Sequence, residues 1–83
     1  MDSLERVPPQ NLEAESSVLG AILLDNEAAW LVAQFLKPEH FYKAANQKIY
    51  EVILALASER KPIDIVILRD ELERKGEIGR AHV

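Results

Sequence analysis

Ile49, Ile53, Leu56 and Ala57 recur at spacings of three and four inside the stretch from Pro38 to Asp64. That rhythm places them on one face of a helix, with Val52 flanking them. Tyr50 and Leu54 widen the apolar surface beyond a single stripe, and a helix so broadly apolar packs on more than one side. Pro38 stands ahead of it and Lys61-Pro62 stops it, because proline fixes φ and pushes the preceding residue out of helical geometry. The spacing predicts a helix from Lys43 or Ala44 to about Ser58. It would be the central element of an all-α fold, a small orthogonal bundle of about four helices plus a short helical turn.

The flanking segments supply the rest of the bundle. Residues 1–10 read as an extended arm, set by Pro8 and Pro9. Asn11 can cap a first helix whose positive end favours Glu13 and Glu15, and whose apolar side is Leu12, Val18, Leu19, Ile22 and Leu23. Gly20 costs about 1 kcal/mol in a helix interior; it is read either as permitting close approach by a neighbour or as an ordinary tolerated glycine. Asp25-Asn26 breaks the pattern, and either can cap a second helix over Glu27 to Leu36, with Trp30, Leu31, Val32 and Phe35 inward. Pro38 to Phe41 makes a helical turn, locked to the core by Phe41 and Tyr42. Asp64 caps a last helix from Ile65 to about Lys75, with Ile65, Leu68 and Leu72 as its stripe, and Gly76 is read as its stop. The bundle is thus expected over 11–76 and a short tail over 77–83. Its core would be Leu19, Ile22, Leu23, Trp30, Phe35, Phe41, Ile49, Ile53, Leu56, Leu68 and Leu72. No repeat or low-complexity segment interrupts it.

Chain length and charge narrow the function. Eighty-three residues, 48% of them hydrophobic, suffice for one small domain, which buries only roughly 60% of its unfolded surface. There is no cysteine, so thiolate metal sites, disulfides and cysteine nucleophiles are excluded, and an intracellular setting is expected. Fourteen acidic against ten basic residues give a net charge of −4. The Lys and Arg residues are scattered among acidic neighbours, so no basic stripe offers itself to phosphates, and direct DNA binding is not expected. The run Val52 to Ala57 is too short to span a bilayer. Met1 is followed by Asp, Ser, Leu and Glu, which is no secretory signal.

No reacting constellation can be assembled. His40 and His82 lie far apart, without the third and fourth ligands a metal needs. Glu13 with Glu15, and Glu71 with Glu73, are two apart and do not face each other on a helix. Ser3, Ser16, Ser17 and Ser58 lack a nucleophile-elbow context. Gly20, Gly76 and Gly79 form no phosphate loop. No catalytic, cofactor-binding or metal-binding residue is therefore assigned.

Three strings read together carry more: RVPPQNLEAESSVLGAILLDNE, then PEHFYKAANQKIYEVI, then KPIDIVILRDELERKGEI. In this order they resemble the N-terminal domain of the DnaB family of bacterial replicative DNA helicases, from Arg6 to about Ile78. The resemblance implies a helical bundle followed by a long helical hairpin that pairs subunits. It implies a collar of such domains above a hexameric motor ring, modulating unwinding and receiving primase, with a helicase loader as a further partner. ATP and Mg would belong to a separate RecA-like domain, so this stretch would be a non-catalytic part of a helicase in the cytoplasmic replisome. After Ile78 the family's Gly-Gly motif is replaced by Gly79-Arg80-Ala81-His82-Val83, either a divergent hairpin start or appended residues. Without the hairpin, the chain alone is expected to be mainly monomeric. The rival readings are the helicase-binding domain of a primase, disfavoured by PPQNLEAE ahead of the helices, and a small acidic enzyme, disfavoured by the missing acid–base cluster.

Overall fold

A computed structural model describes residues 11–80, the side chains of 77–80 excepted. Four α-helices follow one another: α1 Leu12–Leu24, α2 Ala28–Ala33, α3 Ala44–Ser58 and α4 Ile65–Arg80, with a 3-10 turn at Pro38–His40 between α2 and α3. The described residues contain no strand. The central helix α3 packs against each of the other elements, as its broad apolar girth requires.

Local chemistry explains where the helices start. Asn11 Oδ1 accepts the Ala14 N–H at 3.1 Å and opens α1. Asp64 Oδ1 accepts from the Val66 and Ile67 N–H groups at 2.8 and 2.9 Å and opens α4. Lys37 is extended, as a residue before proline must be, and its N–H donates to His40 Nδ1 at 3.0 Å. His40 thus closes the short turn. The start of α3 has no such neighbour, since Lys43 offers no capping side chain; its partner comes from elsewhere in the chain.

The core is built on Ile22, Tyr50 and Ile53, which are fully enclosed, together with Leu19, Ala29, Phe41, Val52, Leu56, Ala57, Ile63 and Leu68. Leu23, Ile49 and Leu72 are half-buried against it. Each large aliphatic side chain taken from water contributes about 1.5–3 kcal/mol. The Phe41 and Tyr50 rings meet at a centroid distance of 5.0 Å and a tilt of 43°. The Tyr50 hydroxyl donates to the Leu36 carbonyl at 2.8 Å, so the buried ring carries no unsatisfied polar atom, and burial raises its pKa.

Several expectations are corrected. Trp30 and Phe35 are not core residues: they are 53% and 71% exposed, and Leu31 is 64% exposed. The face of α2 that meets the core is Ala28, Ala29 and Val32, continued by Leu36. Ala29 is the fully buried one. A helix buries the face that lets it approach its neighbour, and here the small residues do so while the bulky ones point away. The helix is also shorter than expected, because after Ala33 the chain tightens into three-residue hydrogen bonds at Gln34 and Phe35. Tyr42 is exposed although Phe41 is buried, since successive residues of extended chain face opposite ways. Ile65 likewise faces outward. Gly76 does not stop α4, which continues to Arg80; no glycine takes a positive φ. The arm at 1–10, His82 and the last residues of the tail lie outside the described residues.

Candidate functional site

Where α3 ends, the chain has to turn sharply. The Lys61 N–H reaches back to the Leu56 carbonyl at 2.9 Å and the Arg60 N–H to the Ala57 carbonyl at 3.0 Å. This paired closure is a Schellman motif, and it needs a left-handed residue after the cap. Glycine usually serves, but here Arg60 does so, at φ 61°. A side chain with a Cβ in that conformation costs about 1–2 kcal/mol. Pro62 follows, and Ile63 then plunges back into the core.

Asn26 holds that returning loop. Its Oδ1 accepts the Ile63 N–H at 2.9 Å, and its Nδ2 donates to the Ile63 carbonyl at 2.9 Å and to the Ile22 carbonyl at 2.9 Å. The side-chain amide pairs with Ile63 as a second peptide group would. It ties the α1–α2 junction to the α3–α4 loop across a sequence separation of 37.

Between these tethered pieces lies an open pocket of about 670 Å³, lined by Trp30, Asn26, Ala57, Arg60, Lys61, Pro62 and Ile63. Trp30 supplies an exposed aromatic wall, and Arg60 and Lys61 supply cations. Lys61 Nζ lies 3.1 Å from a Glu59 carboxylate oxygen, both side chains being solvated. Leu24, Leu31 and Phe35 extend the exposed apolar surface along the same segment of chain.

A second polar cluster sits at the other end of α3. Glu15, on α1, is buried, and so is Asn46. Glu15 Oε2 accepts the Tyr42 N–H at 2.6 Å, and its Oε1 accepts from Asn46 Nδ2 at 2.7 Å and the Lys43 N–H at 3.5 Å. This carboxylate braces the start of α3 from a different helix, taking up the N–H groups of Tyr42 and Lys43 just ahead of the first turn and matching the positive helix end. The Asn46 bond above all holds the Glu15 pKa below its ordinary value, against the opposing effect of desolvation, with smaller contributions from Tyr42 and Lys43. Glu15 had been read only as a helix-end charge on α1. Its phase with Leu19 and Ile22 and the missing cap at Lys43 were the signals that it turns inward.

The residues present do not fit a nucleotide or magnesium site. Among the described residues no cluster of histidine and carboxylate could hold a metal ion, Glu71 is engaged by Arg74, and Glu15 is saturated by donors. No helix among the described residues is long and apolar enough to cross a membrane. The structure brings Asn26, Trp30 and Arg60 together; the sequence pattern places Trp30 in the core and Arg60 among scattered surface cations.

The fold is that of a small all-α domain, with an open pocket between an aromatic side chain and two cations. The chain is a member of the DnaB-like helicase N terminal domain family, whose model matches residues 7–82. It is 46% identical over 78 residues to the replicative DNA helicase DnaB of Geobacillus stearothermophilus, covering 90% of this chain and 17% of that protein. It is also 46% identical over 68 residues to the replicative DNA helicase DnaC of Bacillus subtilis, covering 82% of this chain and 15% of that protein. The fold matches the crystal structure of the N-terminal domain of DnaB helicase from Mycobacterium tuberculosis with a TM-score of 0.79 and 43% identity, over 89% of this chain and 54% of that one. The chain therefore spans less than a fifth of these curated relatives.

Proposed function

We propose that this domain is the interaction module of a replicative DNA helicase. It packs with its counterparts in the N-terminal collar of a hexameric ring, and it contributes to contact with primase or a loader and to the regulation of unwinding. The observation that carries this reading is the outer side of α2 and the turn that follows it: Trp30 and Leu31 on the helix and Phe35 just after it are exposed on a domain whose core closes without them. An apolar, aromatic surface of this kind marks a contact site. Residues 11–76 act as one folding unit in this proposal. ATP and magnesium serve a separate motor domain, and the setting is the bacterial cytoplasm at the replication fork.

The exposed side of α2 is apolar surface that could serve assembly. It remains small, since a six-residue helix is about 9 Å long, whereas stable interfaces bury roughly 1,200 Å² or more. The chain alone is accordingly mainly monomeric, and it does not bind DNA by itself. Titration of purified bacterial primase into the 83-residue chain, followed by calorimetry, tests the module. Saturable binding without ATP turnover is expected. Absence of primase binding together with a measurable ATPase rate would overturn it, and sedimentation over a range of concentrations reads the monomer directly.

A further inference from the structure

We propose that the pocket between Trp30 and Arg60 docks an acidic peptide segment of a partner protein, with an apolar side chain against Trp30 and a carboxylate on the Arg60 guanidinium. This names the partner chemistry of the interaction module and rests on that reading. The first argument is Arg60 itself. Glycine would close the same turn without a strained Cβ, yet an arginine stands there at φ 61°. Its side chain forms no ion pair among the described residues, so the fold gains nothing visible from it. A strained residue lining a pocket points to use by a ligand.

The second argument is the company it keeps. The chain's only tryptophan lines the same pocket, and at 53% exposure it leaves a large apolar face open to a partner. Arginine grips a carboxylate through paired N–H donors, and aromatic anchors dominate contact energies. Charge supports this place: in a chain of net charge −4, Arg60 stands at the pocket beside Lys61 with no ion pair among the described residues, whereas in the other adjacent cationic pair, Arg74 and Lys75, Arg74 is engaged by Glu71. A nucleic acid strand fits less well. The pocket lining holds only two cations, Arg60 and Lys61, too few to follow a phosphate backbone. The Asn26–Ile63 tether holds the loop before the partner arrives, which lowers the ordering cost of binding.

Trp30 is its own reporter. The 83-residue chain is titrated with the capped peptide Glu-Leu-Phe-Asp-Glu and with its amide counterpart Gln-Leu-Phe-Asn-Gln, and indole fluorescence is followed. The acidic peptide should bind at least about tenfold tighter than the amide, as loss of a charge-assisted pair implies. Arg60→Gly should lose about the same factor while melting at or above the temperature of the parent, and Arg60→Lys should retain part of the affinity. Equal affinity for the two peptides, or undiminished binding by Arg60→Gly, would overturn the assignment. Tighter, steeply salt-dependent binding of a thymidine oligonucleotide would overturn it in favour of a nucleic-acid surface. Primase binding that survives Arg60→Gly, with peptide binding lost, would leave the interaction module standing and place primase elsewhere. Peptide recognition without primase binding would sink only the primase reading.

Discussion

Replacing Asn26 with alanine should remove about 2–4 kcal/mol of folding stability. The side chain makes three hydrogen bonds, all at 2.9 Å: two from Nδ2, to the Ile22 and Ile63 carbonyls, and one at Oδ1 from the Ile63 N–H. Each contributes about 0.5–1.5 kcal/mol net. Ile63 is itself enclosed, so its stranded N–H and carbonyl add a penalty that water at the half-buried Asn26 site only partly relieves. A domain of this length holds on the order of 4–12 kcal/mol in all, so the variant should melt roughly 10–25 °C below the parent. Asn26→Asp makes the sharper test. Its carboxylate can keep the Ile63 N–H, but the other oxygen then faces two carbonyls. At neutral pH it should be no more stable than the alanine variant, and it should recover as acidification restores a proton donor. Urea unfolding followed by circular dichroism, with the slope checked for two-state behaviour, gives the numbers. An alanine variant within about 0.5 kcal/mol of the parent, or an aspartate variant equal to the parent at neutral pH, would refute the tether.

Glu15 is held below its ordinary pKa of 4.5, chiefly by Asn46. A carboxylate depressed in the folded state contributes stability that is complete above its unfolded pKa and lost as pH falls through the folded one. Thermal stability of the parent should therefore drop on acidification below about pH 4.5, and Glu15→Gln should be less stable at neutral pH with that part of the pH profile flattened. Parallel profiles for the two proteins would exclude the carboxylate from the effect. Ile53 is fully enclosed, so Ile53→Ala should cost about 2–5 kcal/mol; a melting temperature within a couple of degrees of the parent would mean the cavity is not there. Asp64→Ala should cost ~1 kcal/mol through loss of two backbone bonds at the start of α4, and Asp64→Asn distinctly less, measured by the same unfolding curves.

What the sequence determined by itself is what neighbouring residues decide among themselves. Spacings of three and four from Ile49 to Ala57, the proline at 38, the Lys61-Pro62 stop and the side chains at Asn11 and Asp64 dictate helices and their limits, because backbone sterics and first-turn hydrogen bonds act over a few residues. The all-α class was legible on those grounds. Tertiary structure decided which face each short helix turns inward. In α2 the closeness allowed by Ala29 outweighed the bulk of Trp30 and Leu31, a choice that exists only once α3 is alongside. It decided that Glu15 would brace the start of a helix beginning 29 positions later, that Asn26 would pair with Ile63, and that Arg60 would occupy a glycine's conformation. Glu15 and Asn26 were each available for a purely local role, and burial added a distant one, because a hydrogen bond unmade in the interior costs more than the same bond unmade in water.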